Sequence, residues 1–243
     1  MKFSIWLPTG VLHDFSAYAD PVQAYEALAE VAYAADDTSF DTVWTADHFE
    51  PYPATPDFVF ESWTTLAALA RDTNRVRIGQ MVTGNGYRNP ALQAKMASTL
   101  DVLSHGRFRF GIGAGNYEDE YRDYGYEFPD GAQRVHELRE AVQIILSMWT
   151  NTETTFQGDF YQLRHALNDP KRGPETPRAV VDRRRRRKRH VETGRGVWRR
   201  VQRRDITERT RPQVRPAEGA LCARRPRLQL DHAYLHVVLH HRR

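Results

Sequence analysis

The fold is decided by the stretch Gly106–Gly125, which has the sequence GRFRFGIGAGNYEDEYRDYG. Within it, Arg107–Ile112 is a predicted strand that ends in the small residues of Gly113–Asn116. Glycines at a strand end let the backbone approach a ligand closely, so this loop is a candidate floor for a flat ring system. A simple strand-to-loop turn is the alternative. The GxGxxG dinucleotide fingerprint is only weakly matched, because no apolar helix follows.

Strands and helices alternate on both sides of this stretch. Short apolar runs predict the strands Lys2–Leu7, Asp41–Thr45, Val76–Thr83 and Arg107–Ile112. Helical spacing predicts helices at Val22–Ala35 (capped by Asp20), Glu61–Arg71, Pro90–Leu103 and Gln133–Trp149, and a hairpin at Thr154–Leu163. This order predicts a parallel sheet with right-handed crossovers, in either a doubly wound fold or a (β/α)8 barrel.

The ends of these strands mark the expected binding site, because both folds place ligands beyond the carboxyl ends of parallel strands. The four ends are Pro8–Gly10, Asp47–Phe49, Met81–Asn85 and Gly113–Asn116. Asp47 and His48 are adjacent at the second end, and a carboxylate beside an imidazole can transfer a proton near neutral pH. A capping Asp next to an unrelated loop His is the alternative.

A group of acidic residues follows the fourth strand. Its members are Glu118, Asp119, Glu120 and Asp123. We expect a solvated loop rather than a metal site here, because no His or Cys converges on the group. The ten histidines of the chain show no HExxH or other zinc spacing, so no metal is expected.

The location expected from the sequence is the cytoplasm. Cys222 is the one cysteine, which excludes an internal disulfide and favours a reducing compartment. The first residues lack the features of a secretory signal peptide. No apolar run approaches the ~20 residues of a membrane span.

Charge is divided unevenly along the chain. Residues 1–170 contain 12 Lys and Arg against 24 Asp and Glu, a net charge of −12. Residues 171–243 contain 23 against 7, a net charge of +16, which together with the first part gives the total of +4. Such asymmetry is typical of a basic tail that binds nucleic acid, and this is one interpretation of the second part.

Four segments resemble the luciferase-like monooxygenase family, in the family's order. They are Phe40–Phe49, Arg77–Pro90, Gly106–Gly125 and Arg134–Trp149. The resemblance implies a luciferase-like (β/α)8 TIM barrel, of which residues 1–170 form the N-terminal half with about four βα units and the hairpin. It also implies a flavin-type cofactor, either FMN or the deazaflavin coenzyme F420.

The resemblance assigns roles to single residues. Asp47 and His48 match the catalytic pair that deazaflavin-dependent members place against cofactor and substrate, with Asp47 orienting His48. The implied cofactor contacts are Gln80, Met81, Thr83, Gly113, Gly115 and Asn116, with a non-proline cis peptide expected at Gln80-Met81. Two departures matter. Ala114 stands where luciferases have an Arg for flavin phosphate, and Asn116 lies near the catalytic Glu of a deazaflavin-dependent sugar-phosphate dehydrogenase. The Asp-His pair favours F420.

Three functions remain open at this point. The first is hydride transfer between a small organic substrate and F420, and the second is an FMN-dependent monooxygenase reaction with O2. The third is basic nucleic-acid binding through the tail, although no motif there indicates specific recognition. The resemblance also implies a homodimer through Glu61–Arg71 and Pro90–Leu103. No membrane partner is expected, because no apolar run is long enough to span a membrane.

Residues 171–243 do not continue the barrel. The segment Arg183–Arg187 begins an Arg-rich region without a helical or strand period. The neighbouring reading frame permits a strand, a Gly-rich loop and a helix in the family's order, so we favour a frameshift near Arg172–Arg178. A genuine basic module is the alternative. A barrel open after its fourth strand exposes sheet edges, which predicts that this chain folds poorly and is inactive.

Overall fold

The structure, a computed structural model, describes residues 2–171 and the strand His236–Val238. The chain divides into two compact units, of which the second, Asp182–Asp231, lies outside the described residues. The predicted Arg-rich tail falls almost entirely in that undescribed part. All that follows concerns the first unit.

The alternation of strand and helix is confirmed. The strands are β1 (Ser4–Trp6), β2 (Thr42–Thr45), β3 (Arg77–Gln80), β4 (Thr83–Gly84), β5 (Phe108–Arg109), β6 (Gly111–Gly113), β7 (Glu153–Gln157), β8 (Gln162–Leu167) and β9 (His236–Val238). The helices are α1 (Pro21–Asp37), α2 (Ser62–Asp72), α3 (Pro90–Leu103), α4 (Glu118–Asp123) and α5 (Gly131–Thr150). A short 3-10 turn, Asn85–Tyr87, lies between β4 and α3.

Side-chain caps fix where the long helices begin. The Asp20 carboxylate accepts the backbone N–H of Val22 at 3.0 Å, as the sequence predicts, and a proline occupies the first turn of α1. Asn89 caps α3 in the same way, again just before a proline. These caps satisfy N–H groups that have no partner inside the helix.

Four parallel strands form the main sheet, in the order β1-β2-β3-β5. One row of paired residues runs across it through Trp6, Trp44, Gly79 and Arg109. The opposite face supplies Val43, Ile78 and Phe108 to a core in which they are fully buried. Burying each such side chain is worth about 1.5–3 kcal/mol, so this core holds the sheet against the helices.

Two of the predicted strands are interrupted near their carboxyl ends. Val76–Thr83 divides into β3 and β4, and Arg107–Ile112 divides into β5 and β6. β4 and β6 pair in parallel as part of a second sheet, and β9 adds to the other edge of β6 in antiparallel direction. The non-proline cis peptide joins Met81 to Val82, one bond later than the sequence analysis placed it.

The predicted hairpin is also confirmed. β7 and β8 pair in antiparallel direction, and the backbone N–H of Gly158 donates to the carbonyl of Tyr161 across the turn. β8 extends to Leu167, four residues beyond the predicted end of the hairpin. In the part of the chain from residue 2 to 171, no helix combines the length and apolarity needed to cross a membrane.

Candidate functional site

Asp47 lies just after β2 and ties that strand end to its neighbours. The carboxylate is buried and accepts the backbone N–H of Gly84 at 3.1 Å and the hydroxyl of Thr83. Both Arg88 Nη atoms donate to it, at 2.7 and 3.1 Å. This bidentate, charge-assisted contact is among the strongest pairings available to a carboxylate.

Arg88 is itself held on several sides. Its Nη2 also donates to Glu61 Oε1 at 2.8 Å, and its guanidinium lies 5.9 Å from the Phe49 ring and 5.8 Å from the Trp63 ring. Burial lowers the pKa of Arg88, but the carboxylates of Asp47 and Glu61 more than offset it and leave the pKa raised. Arg88 therefore keeps its positive charge, and its contacts hold Asp47 and Glu61 in place.

The partner of His48 is Glu120, not Asp47. His48 Nδ1 lies 3.0 Å from Glu120 Oε2, and the Tyr87 hydroxyl donates to the same oxygen. The other oxygen, Oε1, accepts the backbone N–H groups of Phe49 at 2.7 Å and Glu50 at 3.3 Å. The expectation that Asp47 orients His48 is thus corrected, because Asp47 is bound to Arg88 instead.

The contacts of Glu120 set its ionisation and the tautomer of His48. Burial by itself raises the pKa of Glu120, but the hydrogen bonds from His48, Tyr87 and Phe49 N–H outweigh it and hold the pKa below its usual range. An ionised carboxylate only accepts hydrogen bonds, so His48 Nδ1 carries a proton. The other ring nitrogen, Nε2, is left to accept or donate a proton elsewhere.

The acidic group after the fourth strand is a helix rather than a loop, and three of its four members are exposed to solvent as expected. Glu118–Asp123 is the helix α4, and Glu120 points into the protein with no exposed surface. The sequence offers little warning of this, because a six-residue helix has too few apolar positions to show a period. Within residues 2–171, no three His, Cys, Asp or Glu side chains are grouped to hold a metal ion.

Aromatic rings surround His48. The ring of Tyr117 packs edge-on against the imidazole, with 6.2 Å between the ring centroids, and Tyr52 packs edge-on against Tyr117 with a centroid distance of 5.0 Å. Phe49 packs against Tyr124 at 4.8 Å, and the Tyr124 hydroxyl donates to the Phe49 carbonyl at 3.2 Å. The loop after β2 therefore contacts the residues on both sides of α4, Tyr117 before it and Tyr124 after it.

Two of the predicted cofactor contacts have side chains that bond to the scaffold. Gln80 Nε2 donates to Ser62 Oγ at 3.2 Å beneath α2. Thr83 Oγ1 accepts Trp63 Nε1 at 3.3 Å while its own proton goes to Asp47. The half-buried Met81 follows Gln80 at the same strand end. Gln80 keeps one unpaired side-chain acceptor, because its buried Oε1 has no hydrogen-bond partner among the described residues, whereas Thr83 Oγ1 is engaged on both sides.

The loop after β6 contains the other predicted contacts. Gly113 is buried and pairs with Gly84 across the second sheet, whereas Asn116 is exposed. Gly115 has φ of 84°, and a Cβ there would collide with the Tyr121 hydroxyl. Glycine is thus required at this position by both conformation and packing.

Comparison with known proteins places this arrangement in a family. The family model for luciferase-like monooxygenases matches residues 1–208. The chain belongs to the luciferase-like monooxygenase family. The match continues past residue 170, where the sequence analysis ended the barrel half, into residues outside the described part.

Several luciferase-like relatives are dehydrogenases. An F420-dependent glucose-6-phosphate dehydrogenase from Amycolatopsis mediterranei is 35% identical over 137 residues, which cover 56% of this chain and 41% of that protein. An enzyme of the same name from Kineococcus radiotolerans is 36% identical over 140 residues, covering 57% and 41%. The chain therefore spans less than half the length of these curated relatives.

Among solved structures, an F420-dependent secondary alcohol dehydrogenase in complex with an F420–acetone adduct is similar with a TM-score of 0.62 and 28% identity. The match covers 73% of this chain and 51% of that one. The expected luciferase-like α/β fold is confirmed for the described residues by these matches.

The residues at the carboxyl ends of the parallel strands fit the ring of a flavin-type cofactor. His48 Nε2 is available at the end of β2, and Met81 and Val82 are both partly exposed after β3. Three buried polar atoms at strand ends, Thr9 Oγ1, Gln80 Oε1 and Asn85 Oδ1, have no hydrogen-bond partner among the described residues. Such unpaired atoms are costly unless a bound molecule satisfies them.

Proposed function

We propose that this chain belongs to an oxidoreductase that transfers a hydride between a small organic substrate and coenzyme F420. The described residues supply the groups that transfer the accompanying proton. The observation that supports it is the contact of His48 with the buried, ionised Glu120. A histidine held in one tautomer by a carboxylate is suited to general acid–base catalysis. The names of the F420-dependent relatives support the choice of cofactor.

In the proposed reaction, oxidation of an alcohol carbon releases one hydride and one proton. When bound, the deazaflavin supplies the hydride acceptor, or the donor in the reverse direction. His48 Nε2 takes the proton from the substrate hydroxyl, and Glu120 stabilises the imidazolium that forms. Tyr87 and the Phe49 N–H hold Glu120 in place. Met81 and Val82 would contact the ring, while Tyr52 and Tyr117 limit the access of water.

A monooxygenase reaction with FMN and O2 is the second candidate. A monooxygenase from Streptomyces bottropensis matches with a TM-score of 0.60 and 26% identity, covering 70% of this chain and 50% of that one. Both reactions would use the same strand ends. They differ in the cofactor that the protein retains and in whether oxygen is consumed.

Cofactor titration of the full chain tests the proposal. We expect a saturable change in the visible absorbance and fluorescence of F420, and a weaker response to FMN. In the present chain and in the chain with the restored reading frame, His48→Gln should abolish any reduction of F420 by a secondary alcohol, and His136→Gln, at an exposed position on α5, serves as the matched control. Preferential binding of FMN with oxygen consumption would favour the monooxygenase instead.

We also propose a cytoplasmic homodimer that contacts its partner through α2 and α3. The resemblance to the family supports the dimer, and the single cysteine supports the compartment. Sedimentation of the full chain tests the homodimer, and cell fractionation tests the cytoplasmic location. The third function considered, nucleic-acid binding, rests on the tail, which lies outside the described residues.

A further inference from the structure

We propose that the entrance to His48 selects uncharged or cationic substrates and rejects anionic ones, including sugar phosphates. This inference rests on the proposed function for the identity of the reacting group. It concerns the acidic rim, which we define as the carboxylates of Glu50, Asp119 and Asp123 near the aromatic pair Tyr52 and Tyr117. Asp119 and Asp123 are exposed on α4, the helix whose buried Glu120 contacts His48.

The aromatic pair supplies the apolar part of this entrance. Tyr117 contacts both His48 and Tyr52 edge-on, at 6.2 and 5.0 Å. Tyr52 is more than half exposed, so one ring of the pair is open to an arriving molecule. Tyrosine faces are electron-rich and attract alkyl groups and cations rather than anions.

The acidic rim supplies the charge. Burial and the nearby carboxylates of Asp123, Glu120 and Asp119 together raise the pKa of Glu50. Burial and carboxylates of the same group likewise raise the pKa of the Tyr117 hydroxyl. The negative potential therefore acts on several side chains around His48, and an arriving phosphate would be repelled by it.

Glu50 also has a free acceptor at this position. Its Oε1 is buried and has no hydrogen-bond partner among the described residues, although the residue as a whole is partly exposed. A hydroxyl or ammonium group of a substrate would satisfy this oxygen, whereas a phosphate or carboxylate would add a second acceptor beside it.

Nearby arginines are already engaged with carboxylates. Arg122 on α4 contacts Glu118 at 2.5 Å, and Arg88 is bound between Asp47 and Glu61. An anion could therefore bind either guanidinium only by breaking an existing ion pair. The negative charge of the acidic rim and the unpaired oxygen of Glu50 both favour a neutral or cationic alcohol or its carbonyl product.

Charge-matched alkylation of the full chain, without cofactor, tests this inference. Iodoacetamide and iodoacetate have nearly the same size and differ by one negative charge. Peptide mass spectrometry would follow both reagents at His48, with the exposed His136 as internal reference. We expect iodoacetate to be disfavoured at His48 by roughly 3- to 10-fold relative to iodoacetamide, with a smaller difference at high salt.

Variants and ligands sharpen the test. Glu50→Gln and Asp119→Asn should each reduce the discrimination, and Asp159→Asn, at an exposed carboxylate on the hairpin turn, should leave it unchanged. 2-Butanol and 1-amino-2-propanol should protect His48, whereas glucose 6-phosphate at equal concentration should not. Equal rates for the two reagents, or preferential protection by the phosphate, would overturn the inference. Since no cofactor is present, a failed F420 titration leaves this result unaffected.

Discussion

Two buried carboxylates at the strand ends have separate roles. Asp47 neutralises Arg88 and joins the ends of β2 and β4, whereas Glu120 positions His48. The sequence predicts that Asp47 and His48 belong to the site, because they follow a strand directly. It could not predict their partners, since Glu120 is 72 residues from His48 and Arg88 is 41 residues from Asp47.

The stability that is lost on replacing Glu120 should depend on pH. The lowered pKa of Glu120 contributes stability above the unfolded value of about 4.3, and this is lost as pH falls through the lower folded value. Glu120→Gln should cost roughly 1–3 kcal/mol near neutral pH. Urea denaturation at several pH values should show the difference from wild type shrinking below pH of about 4. A constant difference would contradict this account, and Tyr87→Phe should show a smaller effect.

Removing one partner of the Asp47–Arg88 pair should lower the free energy of unfolding more than replacing both partners. Arg88→Met leaves Asp47 buried without its cation, which costs about 3–5 kcal/mol. The double variant with Asp47→Asn should recover part of this loss. Chemical denaturation measures both, and Arg122→Ala, at an exposed pair on α4, should cost at most ~1 kcal/mol. An additive double variant would show that the two residues are not coupled.

At the scale of elements, long and periodic segments could be predicted and short ones could not. Pro90–Leu103 has the predicted bounds, because a proline and a capping Asn mark its start. The helix α4 was missed, and the apolar pattern alone did not divide β3 from β4, although the resemblance implied an irregularity at Gln80-Met81. Both depend on contacts between distant segments, which local periodicity does not record.

The loop between β6 and α4 should tolerate no side chain at Gly115. Gly115→Ala combines a positive φ with a collision against Tyr121, whereas Gly125→Ala has a similar φ and no atom within 4 Å of the added Cβ. Strain alone costs on the order of 1–3 kcal/mol, so Gly115→Ala should lose clearly more stability than Gly125→Ala. Thermal unfolding compares the two. Equal losses would show that packing against Tyr121 is unimportant, and adding Tyr121→Phe should restore part of the difference.

At the scale of the whole molecule, the described part corresponds to about half of the relatives it matches. The sequence alone supported the family through four motifs, and the family model extends over residues 1–208. The change of charge from −12 to +16 near residue 170 stays without a structural account, because it falls where the described residues end.

The frameshift hypothesis makes a direct prediction about the coding DNA. Across Asp169–Arg187, we expect the family's continuation on the neighbouring register. Further along, the pair Trp198-Arg199 must give glycine in that register if the codon of Arg199 is CGN. Restoring that register should raise F420-dependent turnover well above that of the present chain, because the barrel would then be closed. DNA sequencing followed by parallel assays of the two chains measures this. Equal activity, or an uninterrupted frame, would contradict the hypothesis.

The separation of loops from strands has an evolutionary consequence. Buried side chains of both sheets fill the core, including Val43 and Ile78 from the main sheet and Ile112 from β6, whereas the proposed ligand contacts lie in the loops that follow β2, β3 and β6. Mutations in these loops can therefore alter ligand preference with little effect on the sheets. Proteins with this fold can therefore change their substrate in evolution while they keep the same strands and core.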